Sequence, residues 1–236
     1  MKRDVIAMHG WGRDARTWES WRRATEPLEW RWQTGERGYG ILPPQVPVWS
    51  ADAGKTPRLV ITRSLGTHML PPEVLQQADT VVLLASFATF APQGREGRRT
   101  RAALAGMAAC LANEVRARSM LEAFTEKMAA PQSTESLPPG PLDGPLNESN
   151  RARLREDLDL LAKCDGLPAG FPQRARVLIV EAGKDQIVET EARKRLREAL
   201  PQADVITLPE SGHALLVGDV IARVVEWAEC AQVGKK

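Results

Sequence analysis

Leu59-Val60-Ile61-Thr62-Arg63-Ser64-Leu65-Gly66-Thr67 is the stretch whose reading decides the fold. The apolar and β-branched run Leu59 to Thr62 passes without a break through Arg63-Ser64-Leu65-Gly66 into Thr67 to Leu70, a helix start. Strand, sharp turn, helix is the pattern. A hydroxyl on such a turn is lifted clear at the carboxyl edge of a parallel sheet, with the amides of the following helix aimed toward it. The bland reading of Ser64 is a helix N-cap, a role that needs no chemistry.

Outward from this stretch the same kind of strand recurs. Val5-Ile6-Ala7-Met8 is a compact apolar run that stops at His9-Gly10-Trp11-Gly12. Thr80 to Ala85, Arg176 to Val180 and Asp204 to Leu208 read as further strands, and Trp30 to Trp32 starts a short one that runs into Gly35, Gly38 and Gly40. Continuous apolar strands separated by helices predict an α/β fold: a mostly parallel central sheet with helices on both faces. Arg16 to Arg23 reads as a helix, Pro43, Pro44 and Pro47 exclude regular structure around them, and Val217 to Ala231 is apolar at helical spacing and closes the sheet. Between the strands ending near Ala85 and starting near Arg176, Leu104, Met107, Ala108, Leu111 and Val115 repeat at helical spacing, as do Leu154, Leu158 and Leu161. Pro131 to Ser149, rich in Pro, Gly and Ser, reads as a mobile loop joining them. The expectation is one domain over residues 1–236 with a helical lid inserted at about 88–168.

Composition narrows the function classes. A hydrophobic fraction of 43% and a charged fraction of 26% indicate neither disorder nor a fibre. A net charge of +2 gives no whole-molecule field for nucleic acid, so any basic function is local, and Arg95 to Arg101 is one local patch. Cys110, Cys164 and Cys230 are odd in number and far apart, which fits neither a disulfide framework nor a zinc cluster; no metal is expected. Val5 to Met8 is too short for a signal-peptide core and no stretch approaches the roughly 20 apolar residues of a bilayer span, so the default is a cytoplasmic protein with no membrane partner.

Hydrolysis of an ester needs a nucleophile, a histidine to take its proton, a carboxylate to orient that histidine, and amide donors for the developing oxyanion. Ser64 is the candidate nucleophile. His213 lies in Pro209-Glu210-Ser211-Gly212-His213-Ala214, just after the last strand, and Asp185 follows another strand in Glu181-Ala182-Gly183-Lys184-Asp185. Taken singly, these are a loop histidine and a turn aspartate. Ser, Asp and His in that order, each at a strand end, are much rarer by chance. Backbone N–H groups of Leu65 and Trp11 are the candidate oxyanion donors. His9 reads as a structural loop histidine, and His68, one helical turn beyond Ser64, as a packing residue. No organic cofactor is required.

Taken together, His9-Gly10-Trp11-Gly12, Ser64-Leu65-Gly66, Gly183-Lys184-Asp185 and Ser211-Gly212-His213 resemble the landmarks of the α/β-hydrolase superfamily over nearly the whole chain. Among its branches, the Trp after His-Gly, the Ser-Leu-Gly turn and the inserted lid are similar to the pimeloyl-[acyl-carrier protein] methyl ester esterases of biotin synthesis. That narrower resemblance implies hydrolysis of a methyl ester at the far end of a pimeloyl chain, carried by an acidic acyl-carrier protein that lid arginines recognise. Arg95, Arg98, Arg99 and Arg101, with Arg116 and Arg118, face only Glu96 and Glu114 between positions 91 and 118; a solvated helix face is the alternative account. Thr62 stands where the family usually has the first glycine of the turn, and Thr67 where a later glycine is common. A general small-ester carboxylesterase or thioesterase, or a non-catalytic relative that binds a ligand, are the other readings. Six of the seven tryptophans precede residue 50, which core packing explains best.

Overall fold

The computed structural model describes residues 2–50 and 56–230. Six strands, β1 (Asp4–Met8), β2 (Arg31–Gly35), β3 (Arg58–Arg63), β4 (Thr80–Leu84), β5 (Arg176–Ala182) and β6 (Asp204–Leu208), form one sheet in the order β2-β1-β3-β4-β5-β6, every pair parallel. Every residue of β1 and β4 is buried, which is why their sequences are continuous apolar runs; β2 and β6 are the edges and carry polar residues. Side chains alternate between the two faces. Val5, Ala7, Leu59, Ile61, Val82 and Leu178 pack on one side against α1 (Glu19–Thr25) and α8 (Val220–Cys230). Ile6, Met8, Val60, Val81, Leu83 and Ile179 pack on the other against α3 (Pro72–Leu75) and α7 (Thr190–Ala199).

The helix starting after Ser64 is short: α2 spans Gly66–Met69, because Leu70 precedes Pro71 and is extended. Helix α8 starts at Val220 rather than Val217, after Gly218 with φ 77°, and Ala231 of the expected helix lies outside the described residues. The tryptophan bias is a packing feature. Trp18, Trp21 and Trp30 are core residues, with Trp32 against them and ring centroids 5.8–6.5 Å apart.

Between β4 and β5 the chain forms α4 (Arg98–Cys110), α5 (Glu114–Ala129) and α6 (Glu148–Lys163), which share an apolar cluster with Trp11, Leu65 and Val188 above the carboxyl ends of the strands. The single period expected through Val115 is broken. Asn113 is extended and its side chain caps α5 by accepting from Arg116 N–H, so Val115 turns outward, 73% exposed. The expected mobile loop meets a fastened segment. Its carbonyls at Pro139, Gly140, Leu142 and Gly144 accept from Arg13, Arg16 and Arg118 at 2.8–3.0 Å. Among the described residues, no helix is long and apolar enough to cross a membrane.

Candidate active site

The sheet order reverses between β1 and β3, leaving a crevice at their carboxyl ends, where open α/β sheets bind ligands. Met8 pairs with Thr62, so the next residues, Gly10 and Ser64, emerge side by side. A Cβ on Gly10 would stand 3.1 Å from Ser64 Cβ, and one on Gly66 would stand 2.5 Å from the Met8 carbonyl oxygen. Only glycine permits that approach. Ser64 has φ 52°, a left-handed conformation that a non-glycine residue holds at a cost, its N–H donates to the Leu84 carbonyl at 2.9 Å, and its carbonyl accepts from Ser86 Oγ at 2.7 Å. This geometry is a strained turn, not an N-cap.

The two threonines that depart from the family pattern are partners. Thr62 Oγ1 and Thr67 Oγ1 lie 2.6 Å apart in one buried hydrogen bond across the turn.

Asp185 follows β5 and His213 follows β6. His213 Nδ1–H donates to Asp185 Oδ2 at 2.9 Å, and Asp185 Oδ1 accepts from the N–H groups of Ile187 and Val188 at 2.8 and 2.9 Å. Burial pushes the Asp185 carboxyl up, but His213 and these two amides outweigh it and hold it below its ordinary value. The ionised carboxylate fixes the proton on Nδ1 and leaves Nε2 as the basic nitrogen. Ser64 and His213 are brought to the same edge, where Arg63 Nη1–H donates to the Ala214 carbonyl at 2.8 Å. Among the described residues no hydrogen bond joins Ser64 Oγ to the imidazole; such contacts commonly close only when substrate is present.

Above Ser64 lies a cavity of about 480 Å³ with mostly apolar walls from Trp11, Leu65, Leu104, Met107 and Phe124, and with Arg99, Lys127 and Glu189 as its charged groups. Among the described residues, neither the Trp11 nor the Leu65 backbone N–H has a protein acceptor. Of the basic patch, Arg99 reaches this cavity and Arg95 and Arg98 are exposed, whereas Arg101 donates to the Pro92 and Gly94 carbonyls and is spent on the local turn. His68 packs as expected, stacked on Phe87 at 5.4 Å. His9 also is structural: its buried ring sits with Nδ1 2.8 Å from the Gly10 carbonyl and Nε2 3.6 Å from the Glu36 carboxylate. Sequence reasoning missed Ser86, although it follows an apolar strand just as Ser64 does, and missed Lys127, which no pattern marked.

No family model matches the chain, and no curated protein sequence matches it significantly. Solved structures do. An esterase from Exiguobacterium antarcticum superposes with a TM-score of 0.75 at 15% identity, covering 96% of this chain and 92% of that one. The enol-lactonase from Burkholderia xenovorans gives 0.70 at 13% identity, with 97% and 92% covered. An α/β-hydrolase enzyme from a Medee basin deep-sea metagenome gives 0.66 at 12% identity, with 99% and 92% covered. The chain therefore has the α/β-hydrolase fold.

Proposed function

We propose that this protein is a serine ester hydrolase with Ser64 as nucleophile, His213 as general base and Asp185 as the group that orients it. The observation that carries the reading is a hydroxyl held at φ 52° on the sheet edge that also bears an imidazole bonded to a buried carboxylate. Ser64 Oγ attacks the ester carbonyl while His213 Nε2 takes its proton. The oxyanion sits against the Leu65 and Trp11 N–H groups, each contributing about 3 to 4 kcal/mol when well placed. The tetrahedral intermediate collapses, the alcohol leaves with the proton from His213, and a water activated by the same imidazole releases the acid and restores Ser64.

The narrower reading is that the ester is the methyl ester of a pimeloyl chain on acyl-carrier protein. A mostly apolar cavity of about 480 Å³ suits an acyl chain, and Arg95, Arg98 and Arg99 on the lid suit an acidic carrier. The test is turnover of pimeloyl-carrier methyl ester beside a short p-nitrophenyl ester by wild type, Ser64→Ala and Arg98→Ala/Arg99→Ala. Loss of both activities in Ser64→Ala is expected, with the arginine pair weakening only the carrier substrate. Activity on the small ester alone would replace the carrier reading by a general esterase, and inactivity on every ester offered would sink the hydrolase itself.

A further inference from the structure

The loop that carries His213 is held from the lid side. Helix α5 ends at Ala129, and a Cβ on Gly212 would run into the Ala130 carbonyl oxygen, so the two backbones lie against each other with no room for a side chain. Among the described residues, the His213 backbone N–H and carbonyl have no protein partner. The place of the imidazole is therefore set by the residues on either side of it. Ala214 N–H donates to the Met128 carbonyl at 2.9 Å, and the Ala214 carbonyl accepts from Arg63.

On the other side of His213 the tie from the lid is a side chain. Gln132, just past the end of α5, donates through Nε2 to the Glu210 carbonyl at 3.0 Å and accepts at Oε1 from Gly212 N–H at 3.3 Å. Both ends of the amide are spent on this loop, and among the described residues the side chain makes no other hydrogen bond. Met120, Phe124 and Lys127 of the same helix wall the cavity above Ser64, so the base hangs from the wall of its own cavity. The bond from Nδ1 to Asp185 fixes the tautomer and one direction of the ring. Aim at a neighbouring hydroxyl needs the backbone held as well, because small displacements of a reacting group are costly.

We infer that Gln132 is a positioning residue for the general base: its carboxamide holds the backbone from Glu210 to Gly212, and through it the direction in which His213 presents Nε2 to Ser64. This role rests on the hydrolase reading of the site, and one arm of its test does not. Gln132→Met keeps the length of the side chain and removes both bonds. On a short p-nitrophenyl ester its kcat should fall about 10- to 100-fold while KM changes little. Gln132→Glu keeps an acceptor for Gly212 N–H and should restore part of that kcat. Proton NMR reads the same hold without turnover: the His213 Nδ1–H line, identified by its absence from His213→Gln, should be sharp in wild type and broadened in Gln132→Met. Glu122→Ala, on the exposed side of α5, should leave both kcat and the line as they are. An unchanged kcat in Gln132→Met, or an Nδ1–H line as sharp as that of wild type, would overturn the role of Gln132. A wild type inactive on every ester would instead remove the hydrolase reading, and the proton line would still decide whether Gln132 holds the imidazole.

Discussion

At the turn that lifts Ser64, Thr62 and Thr67 share one buried hydrogen bond, so neither side chain is independent of the other. Thr62→Val keeps the shape but leaves Thr67 Oγ1 buried without its partner, which should cost about 1–3 kcal/mol in urea melts. Thr62→Val/Thr67→Val should recover most of that loss, because both polar atoms are then gone; a double variant as unstable as the sum of the singles would refute the pairing. Asp185→Asn leaves room for the Ile187 and Val188 amides but removes the charge that fixes the His213 tautomer. It should lower kcat on a small ester by about ten-thousand-fold, and at neutral pH it should also lower the urea midpoint, because the charged carboxylate no longer stabilises the fold. The placement of Ser64, Asp185 and His213 in the loops that follow β3, β5 and β6 was legible because each comes shortly after an apolar run, a signal that needs no knowledge of tertiary contacts. The Thr62–Thr67 bond was not, since a turn sequence does not say which hydroxyls meet, and without it both threonines read as mere departures.

Helix α6 is fastened to the loop after β2 by a polar knot rather than by apolar packing alone. Asp157, 1% exposed, accepts from Arg37 at 2.6 and 2.7 Å and from the Tyr39 hydroxyl at 2.5 Å. Burial, and then the Asp157 charge, push the Tyr39 phenol well above its ordinary pKa, so it remains a donor. Asp157→Ala strands the buried phenol and leaves the guanidinium only the exposed Glu156, 3.6 Å away, and should cost roughly 3 kcal/mol by denaturant unfolding. A change below the noise of the melt would mean that packing alone holds α6. The Leu154, Leu158 and Leu161 period revealed this helix, and the continuous apolar runs revealed the central strands. Its fastening stayed hidden because Arg37 and Asp157 lie far apart in the chain. The break between α4 and α5 escaped for a related reason: Asn113 caps by a side-chain bond that a hydrophobic period does not register.

For the molecule as a whole, folding shifts several titrating groups in one direction. Burial raises Asp185 and Glu36, but His213 with the Ile187 and Val188 amides, and His9 with the Gly38 and Ala15 amides, leave both carboxyls net lowered. A carboxyl lowered on folding stabilises above its unfolded pKa, and that stability is lost as pH falls through the folded value. His68 is lowered by burial despite the Phe87 carbonyl; it subtracts stability as pH falls below the unfolded imidazole value. Acid should therefore weaken the protein in two stages, the first below about pH 6.5 and the second below about pH 4. Urea midpoints across that range check it: His68→Gln should flatten the first stage and Asp185→Asn reduce the second, and a wild-type midpoint that holds constant into acid would contradict both.

Trp11 belongs to two assemblies at once. Its indole N–H hangs on the Leu154 carbonyl of α6 at 2.8 Å and its ring meets Phe124 of α5 edge-on, while the residue also lines the cavity at Ser64. On the proposed reading, in which the Trp11 N–H is an oxyanion donor, a guest that lifts α6 has to pull on that indole, so opening the roof and tuning the anion cradle become strokes of one lever. Among the described residues Trp11 is the one tryptophan in the apolar cluster of α4, α5 and α6, so the part of the emission lost in Trp11→Phe reports on that movement.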